Sequence, residues 1–126
     1  LENEILPVIH ESKQNATAII ELLSTYSNIN CNHINSHADQ GDVIELKFLN
    51  QNKRVETQTG FMNPILPQDL TGLLATEIFV CVPVTNFEVP LTILKFIKEN
   101  SKTSIIFDAH GRTNALSIHG DRFMKF

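Results

Sequence analysis

Between residues 77 and 108 the chain reads strand, helix, strand, and that order constrains the fold more than any other feature. Residues 77–82, Glu-Ile-Phe-Val-Cys-Val, are a near-continuous apolar run closed by Pro83. Such runs suit a strand covered on both faces. A helix is expected from about Val89 to Asn100, with Pro90 in its first turn. Leu91, Ile93, Leu94 and Ile97 mark its buried stripe. Lys95 and Lys98 fall late, where cations complement the helix dipole. Residues 103–108, Thr-Ser-Ile-Ile-Phe-Asp, form the next buried strand and end on an acid. The connection is long enough for a right-handed parallel crossover. Residues 77–126 therefore read as a βαβ core segment of a doubly wound α/β sheet, closing with a hairpin from Leu116 to Phe126.

The amino half is organised differently. Residues 5–10 form a short apolar strand in which Pro7 favours an edge or an early bend. A helix begins at Ala16 with Asn15 as N-cap, carries Ile19, Ile20, Leu22 and Leu23 at helical spacing, and fades near Tyr26. Three further segments follow: 29–36, then Val43 to Leu49 with apolar Ile44, Leu46 and Phe48 at a period of two, then Arg54 to Thr59. The segment 29–59 reads as a small antiparallel sheet with one wet face, and Asn50 to Lys53 is its hairpin loop. Gly60 to Pro67 is a connection, and Pro67-Gln-Asp-Leu70 opens a short helix.

The chain has 126 residues, enough for one domain and too few for two separate cores. It reads as a single domain or, beginning at Leu1, as a processed or excised piece. Hydrophobic residues make up 42% and charged residues 19%, which excludes a disordered chain. The net charge is −4 and the basic residues are scattered, so nucleic-acid binding is not expected. No window is apolar for long enough to span a bilayer, and no signal segment opens the chain, so a cytoplasmic protein is expected. Cys31 and Cys81 read as buried reduced thiols.

In open α/β sheets ligands gather at the carboxyl ends of the parallel strands. That rule selects two loops, Pro83 to Asn86 and Asp108 to Thr113. The second puts Asp108, His110, Gly111 and Arg112 directly after an apolar strand, and an arginine there can grip a phosphate or carboxylate with two bonds. Asp108 can equally cap its own turn. Substrate contacts are thus assigned to Asn86, Asp108, His110 and Arg112. His33 and His37 are four apart, but with Asp39 they make too few ligands for a zinc site, and no metal ligand is assigned. His10 and His119 show no sequence partners and read as surface or satisfied residues. The five glycines are dispersed, so there is no Walker loop, no G-x-G-x-x-G and no phosphate-cradling glycine loop.

Taken in order, the helix ending Ile19 to Tyr26, the hairpin Asp42 to Thr57, Pro64-Ile-Leu-Pro-Gln-Asp-Leu70, the apolar strand 77–82, and Ile105-Ile-Phe-Asp-Ala-His-Gly-Arg-Thr113 resemble the central part of PfkB-type carbohydrate kinases, with the ribokinase-like fold. The hairpin is similar to the β lid that covers the sugar in that family. Asp108 to Arg112 resembles the acid-x-(Asn or His)-x-Arg segment of many members. The resemblance implies ATP and Mg²⁺ as cofactors and a sugar or nucleoside substrate. The family's amino-side glycine segment and its carboxyl-side Gly-Ala-Gly-Asp segment are absent from these residues. The chain therefore holds no catalytic residue and is expected to be inactive alone. The alternative is a non-catalytic ligand-binding or interaction domain on the same scaffold. Exposed strand edges predict self-association.

Overall fold

The computed structural model describes residues 3–38, 41–110, 114–116 and 122–124. Two β-α-β units dominate it. In the first, β1 (Ile9–Ser12) leads into α1 (Lys13–Leu23) and returns to β2 (Ile34–Ala38) through a 3-10 turn at Cys31–His33. In the second, β5 (Ile78–Cys81) leads into α2 (Leu91–Asn100) and returns to β6 (Ser104–Phe107). Both strand pairs are parallel, with Ile9 opposite Ile34 and Ile78 opposite Ser104. Between the two units lies an antiparallel hairpin of β3 (Val43–Asn50) and β4 (Lys53–Gly60). A short antiparallel pair, β7 (Asn114–Leu116) with β8 (Arg122–Met124), follows.

The expected α/β class and the βαβ unit at 77–108 are present. The antiparallel segment is narrower than 29–59. β2 pairs in parallel with β1 and does not join the hairpin, because α1 carries the chain back to begin β2 beside the start of β1. The first strand also starts later than expected. Ile5 makes only an isolated bridge to Ile29, and the strand proper begins at Ile9, beyond Pro7, which has no N–H for a ladder. Helix α1 starts three residues earlier than Ala16, with Ser12 as N-cap. The Ser12 hydroxyl accepts from the Asn15 N–H at 3.3 Å.

The core is small and centred on α2. Ile93 and Ile97 are fully buried against Leu70, with Val8, Ile65, Phe79, Val89, Phe96 and Ile105 packed around them. Leu91 lies outside the expected stripe, 50% exposed, because the helix turns its 93–97 line, not its 91–94 line, to the sheet. The run at 77–82 is covered on one face only. Phe79 packs into the core and Cys81 is buried, while Ile78, Val80 and Val82 remain exposed. Alternate residues of a strand point to opposite faces, and α2 covers one of them. The hairpin projects: every residue of β3 is exposed, and Phe48 is 69% exposed.

Candidate functional site

The carboxyl end of β1 lies against the hairpin root at Gly41, and the loop after β5 is bonded to the chain leaving the hairpin, where the Ile65 N–H donates to the Glu88 carbonyl at 2.9 Å. Cys81 is opposite Phe107, so the loop after β5 and the turn after β6 leave the same edge side by side. Asn86 is exposed in the first, and Asp108 and His110 are exposed in the second. Asp108 is engaged locally: its N–H donates to the Cys81 carbonyl at 2.9 Å, and its carboxylate accepts from the His110 N–H at 2.9 Å. It caps the turn that follows β6. Arg112, Gly111 and Thr113 lie outside the described residues, as do the His37 side chain, Asp39 and His119.

The denser chemistry lies beside that loop, in residues that periodicity does not mark. Glu88 is held by Thr85, which is 0% exposed: its two oxygens accept from the Thr85 N–H at 2.6 Å and the Thr85 hydroxyl at 2.7 Å. Glu11, at the end of β1, is held by its own backbone neighbour, the Ser12 N–H, at 2.7 Å. Asp42 opens the hairpin, and one of its oxygens, Oδ1, accepts from the Gln58 amide at 2.9 Å and from the Met62 N–H at 2.8 Å. Burial, then the charges of Glu88 and Glu11, push the Asp42 carboxyl above the ordinary aspartate value; the bonds from Met62 and Gln58 oppose this and lose. Glu88 in the loop after β5 and Glu11 in β1 are thus near enough for their charges to act on Asp42 at the hairpin root.

The hairpin root is packed tightly enough to fix this arrangement. Gly41 lies against Glu11 and Ser12, where a Cβ would come within 3.3 Å of a Glu11 oxygen. Gly60 is closer still, since a Cβ there would sit 2.6 Å from the Gly41 carbonyl oxygen. Gln58 is 2% exposed and its amide nitrogen bridges Asp42 and the Gly60 carbonyl. Below this root, His10 ties the returning chain to β1: Nδ1 lies 2.8 Å from the Asn63 carbonyl oxygen and Nε2 3.1 Å from Asp69 Oδ2. His10 is thus an interior residue, not a surface one.

Among the described residues no group of three His, Cys, Asp or Glu side chains is placed to hold a metal ion. His33 stands in the 3-10 turn before β2. No helix among them is long and apolar enough to cross a membrane.

The sequence reading singled out Asn86, Asp108, His110 and Arg112 and did not mark Glu11, Asp42 or Glu88. Glu88 had one signal, its position two residues before Pro90 in the loop after β5. Glu11 and Asp42 had none, because an acid at a strand end and an acid after Gly41 look like ordinary surface residues.

No family model and no curated protein matches the sequence. A solved structure does: a pyrophosphate-dependent kinase of the ribokinase family, described as a sulfate complex that gives insight into the donor-binding mode. The TM-score is 0.69 at 12% sequence identity, over 93% of this chain and 40% of that one. A likeness at that identity shows the fold, and the chain carries part of a ribokinase-like fold. It spans well under half of the relative's length.

Proposed function

We propose that this chain is the lid-bearing section of a cytoplasmic kinase of the PfkB type that moves a phosphoryl group onto a hydroxyl of a sugar or nucleoside. The observation that carries the reading is the strand edge at the hairpin root, where Asp42 is bound by Gln58 and Met62, Glu11 lies against Gly41 and Glu88 is fixed by Thr85. A polyhydroxylated ligand brings many O–H donors, and ionised carboxylates are pure acceptors. The edge is also where open α/β sheets bind ligands. A hairpin over it would exclude water from the reacting hydroxyl.

Phosphoryl transfer is mostly positioning and charge stabilisation. The residues in hand supply positioning: Glu88 and Asp42 orient the acceptor's hydroxyls, Asn86 and His110 stand at the rim, and Asp108 shapes the turn. Arg112 is the group for an anionic phosphate. The donor is ATP with Mg²⁺ by the family resemblance, or pyrophosphate as in the solved relative. The Gly-Ala-Gly-Asp segment, which by the resemblance would supply the base and the anion-binding backbone, is absent from this sequence.

Isothermal titration of the purified chain with ribose, hexoses and adenosine tests the binding half. Heat with one class, weakened about tenfold by Glu88→Gln, supports the proposal. The absence of heat with every ligand would leave the second reading, an interaction domain. That reading has its own support in Leu46, Phe48, Val80 and Val82, apolar residues exposed along the hairpin and the open face of β5. It predicts self-association, and a sharp monomer peak on size exclusion would count against it.

A further inference from the structure

Phe61 and Phe87 meet where the chain leaving the hairpin passes the loop after β5. Their ring centroids are 5.9 Å apart and their planes cross at 75°, an edge-to-face pair. Burial does not account for the pair: Phe61 is 45% exposed and Phe87 37%. Both rings stand on fixed backbone. Asp42 Oδ1 holds the segment around Phe61, accepting the Met62 N–H at 2.8 Å and the Gln58 amide, which also donates to the Gly60 carbonyl at 3.1 Å. The Phe87 N–H donates to the Thr85 hydroxyl at 3.2 Å, and that hydroxyl donates to Glu88. The Ile65 N–H joins the two segments by donating to the Glu88 carbonyl at 2.9 Å. The aromatic corner is therefore built in place, and a ligand would not have to order it.

The groups bonded to this corner are hydrogen-bond acceptors. Asp42 and Glu88 are two of them, and Gln58 adds a third. Gln58 is 2% exposed, and both partners of its nitrogen, the Asp42 carboxylate and the Gly60 carbonyl, can only accept, which settles the orientation of the amide. Its Oε1 is buried and has no hydrogen-bond partner among the described residues. A buried acceptor without a donor costs free energy, and a water bridging it to a ligand hydroxyl would remove that cost.

We propose that Phe61 and Phe87 are a ring-binding subsite: the flat heteroaromatic base of a nucleoside stacks in their corner, while its sugar hydroxyls donate to Asp42, to Glu88 and, through a water, to Gln58. A free sugar would meet the acceptors and leave both rings wet. An aromatic ring without hydroxyls would cover the rings and leave the acceptors unmet. A nucleoside joins the two halves by a single bond. Stacking tolerates any base, because each has a π-face. The subsite rests on the reading of this edge as the acceptor site and narrows its ligand from a sugar or nucleoside to a nucleoside.

Titration calorimetry on the full chain compares adenosine, uridine and ribose across the wild type, Phe61→Leu, Phe87→Leu and Phe87→Tyr. The wild type binds adenosine at least about tenfold more tightly than ribose, the size of one base–aromatic stack. Each leucine variant lowers the adenosine affinity about tenfold and leaves that for ribose unchanged. Phe87→Tyr keeps the ring and binds adenosine like the wild type. The two side chains are exposed, so the fold tolerates these changes, and thermal melts check this. Ribose bound as tightly as adenosine, or leucine variants that bind adenosine as the wild type does, would overturn the subsite and leave the acceptor-site reading in place. Heat with none of the three ligands would remove that reading and the subsite with it.

Discussion

His10 and Asp69 form a pair inside the molecule, Nε2 to Oδ2 at 3.1 Å, with side chains only 5% and 8% exposed. Each is also engaged elsewhere. His10 Nδ1 meets the Asn63 carbonyl oxygen, and Asp69 accepts the Leu66 N–H at 2.7 Å and the Asn35 amide at 3.5 Å. The pair joins β1 and β2 to the chain returning from the hairpin. Breaking one side of such a pair leaves a buried polar atom of the other short of a partner, at a cost of about 1–3 kcal/mol. His10→Ala and Asp69→Ala are each expected to destabilise the chain by an amount near that range in urea denaturation. The double variant should cost less than the sum, because the second change removes a group the first had stranded.

Asp42 gives stability the opposite sign from an ordinary paired carboxylate. Its folded value lies above the unperturbed 3.8, so the folded chain binds the proton more tightly than the unfolded one. Below 3.8 both states are protonated and the group costs nothing. As pH rises from there through the raised folded value, stability falls, and above that value the full penalty remains. Asp42→Asn should therefore raise the melting temperature at about pH 7 and leave it unchanged at about pH 3. Thermal melts of both proteins across that range check the sign. The gain is modest, because the residue keeps exposed surface and solvent screens the repulsion.

Gly60 is needed for its missing side chain. A Cβ would stand 2.6 Å from the Gly41 carbonyl oxygen and 3.0 Å from Val43, and the first is backbone, which cannot rotate away. Gly60→Ala should cost about 1–3 kcal/mol by forcing the hairpin root apart. Equilibrium denaturation measures this. The same substitution at Gly72, whose φ is +83° with open space around it, tests backbone strain in place of crowding.

These residues show what the sequence could and could not disclose. The strand-helix-strand order at 77–108 was legible because burial against α2 imposes a period on Ile93, Ile97 and Phe79. The hairpin was legible because Ile44, Leu46 and Phe48 alternate. The pairing of β2 was not, because a strand's partner depends on where α1 returns the chain, and no local pattern records that. His10, Glu11, Asp42 and Asp69 were illegible as site residues for the same reason. Their partners lie 53 residues away in the case of His10 and Asn63, and a polar side chain carries no periodic signature of its neighbour.

The division of α2 into working and idle faces allows a comparison within one helix. Ile97 is 1% exposed in the Leu70–Ile93 cluster, and Leu91 is 50% exposed. Ile97→Ala removes buried methyl groups and opens a cavity, and should cost about 2–5 kcal/mol. Leu91→Ala should stay within about 0.5 kcal/mol if the exposed flank is idle in solution. Leu91 lines a shallow cleft of about 320 Å³ with Leu94, Lys95, Lys98, Glu99 and Ile105. A loss at Leu91 approaching that at Ile97, and growing with protein concentration, would mean that association covers the flank. Denaturation at two concentrations separates these outcomes.

The two thiols should differ in chemistry as they do in placement. Cys81 is buried at the end of β5, and burial pushes its thiol above the ordinary value, which disfavours the reactive thiolate. Cys31 is half-buried in the 3-10 turn, with the Ser24 hydroxyl 4.0 Å from its sulfur. A thiol-specific chromophoric reagent should modify Cys31 first in the native chain and reach Cys81 only as the chain opens. Added urea should then accelerate the slow phase in step with unfolding and leave the fast phase nearly unchanged, because only the slow thiol requires β5 to part from β6 and α2. Equal native rates at the two positions would show that the carboxyl end of β5 opens readily, and with it the loop that holds Glu88.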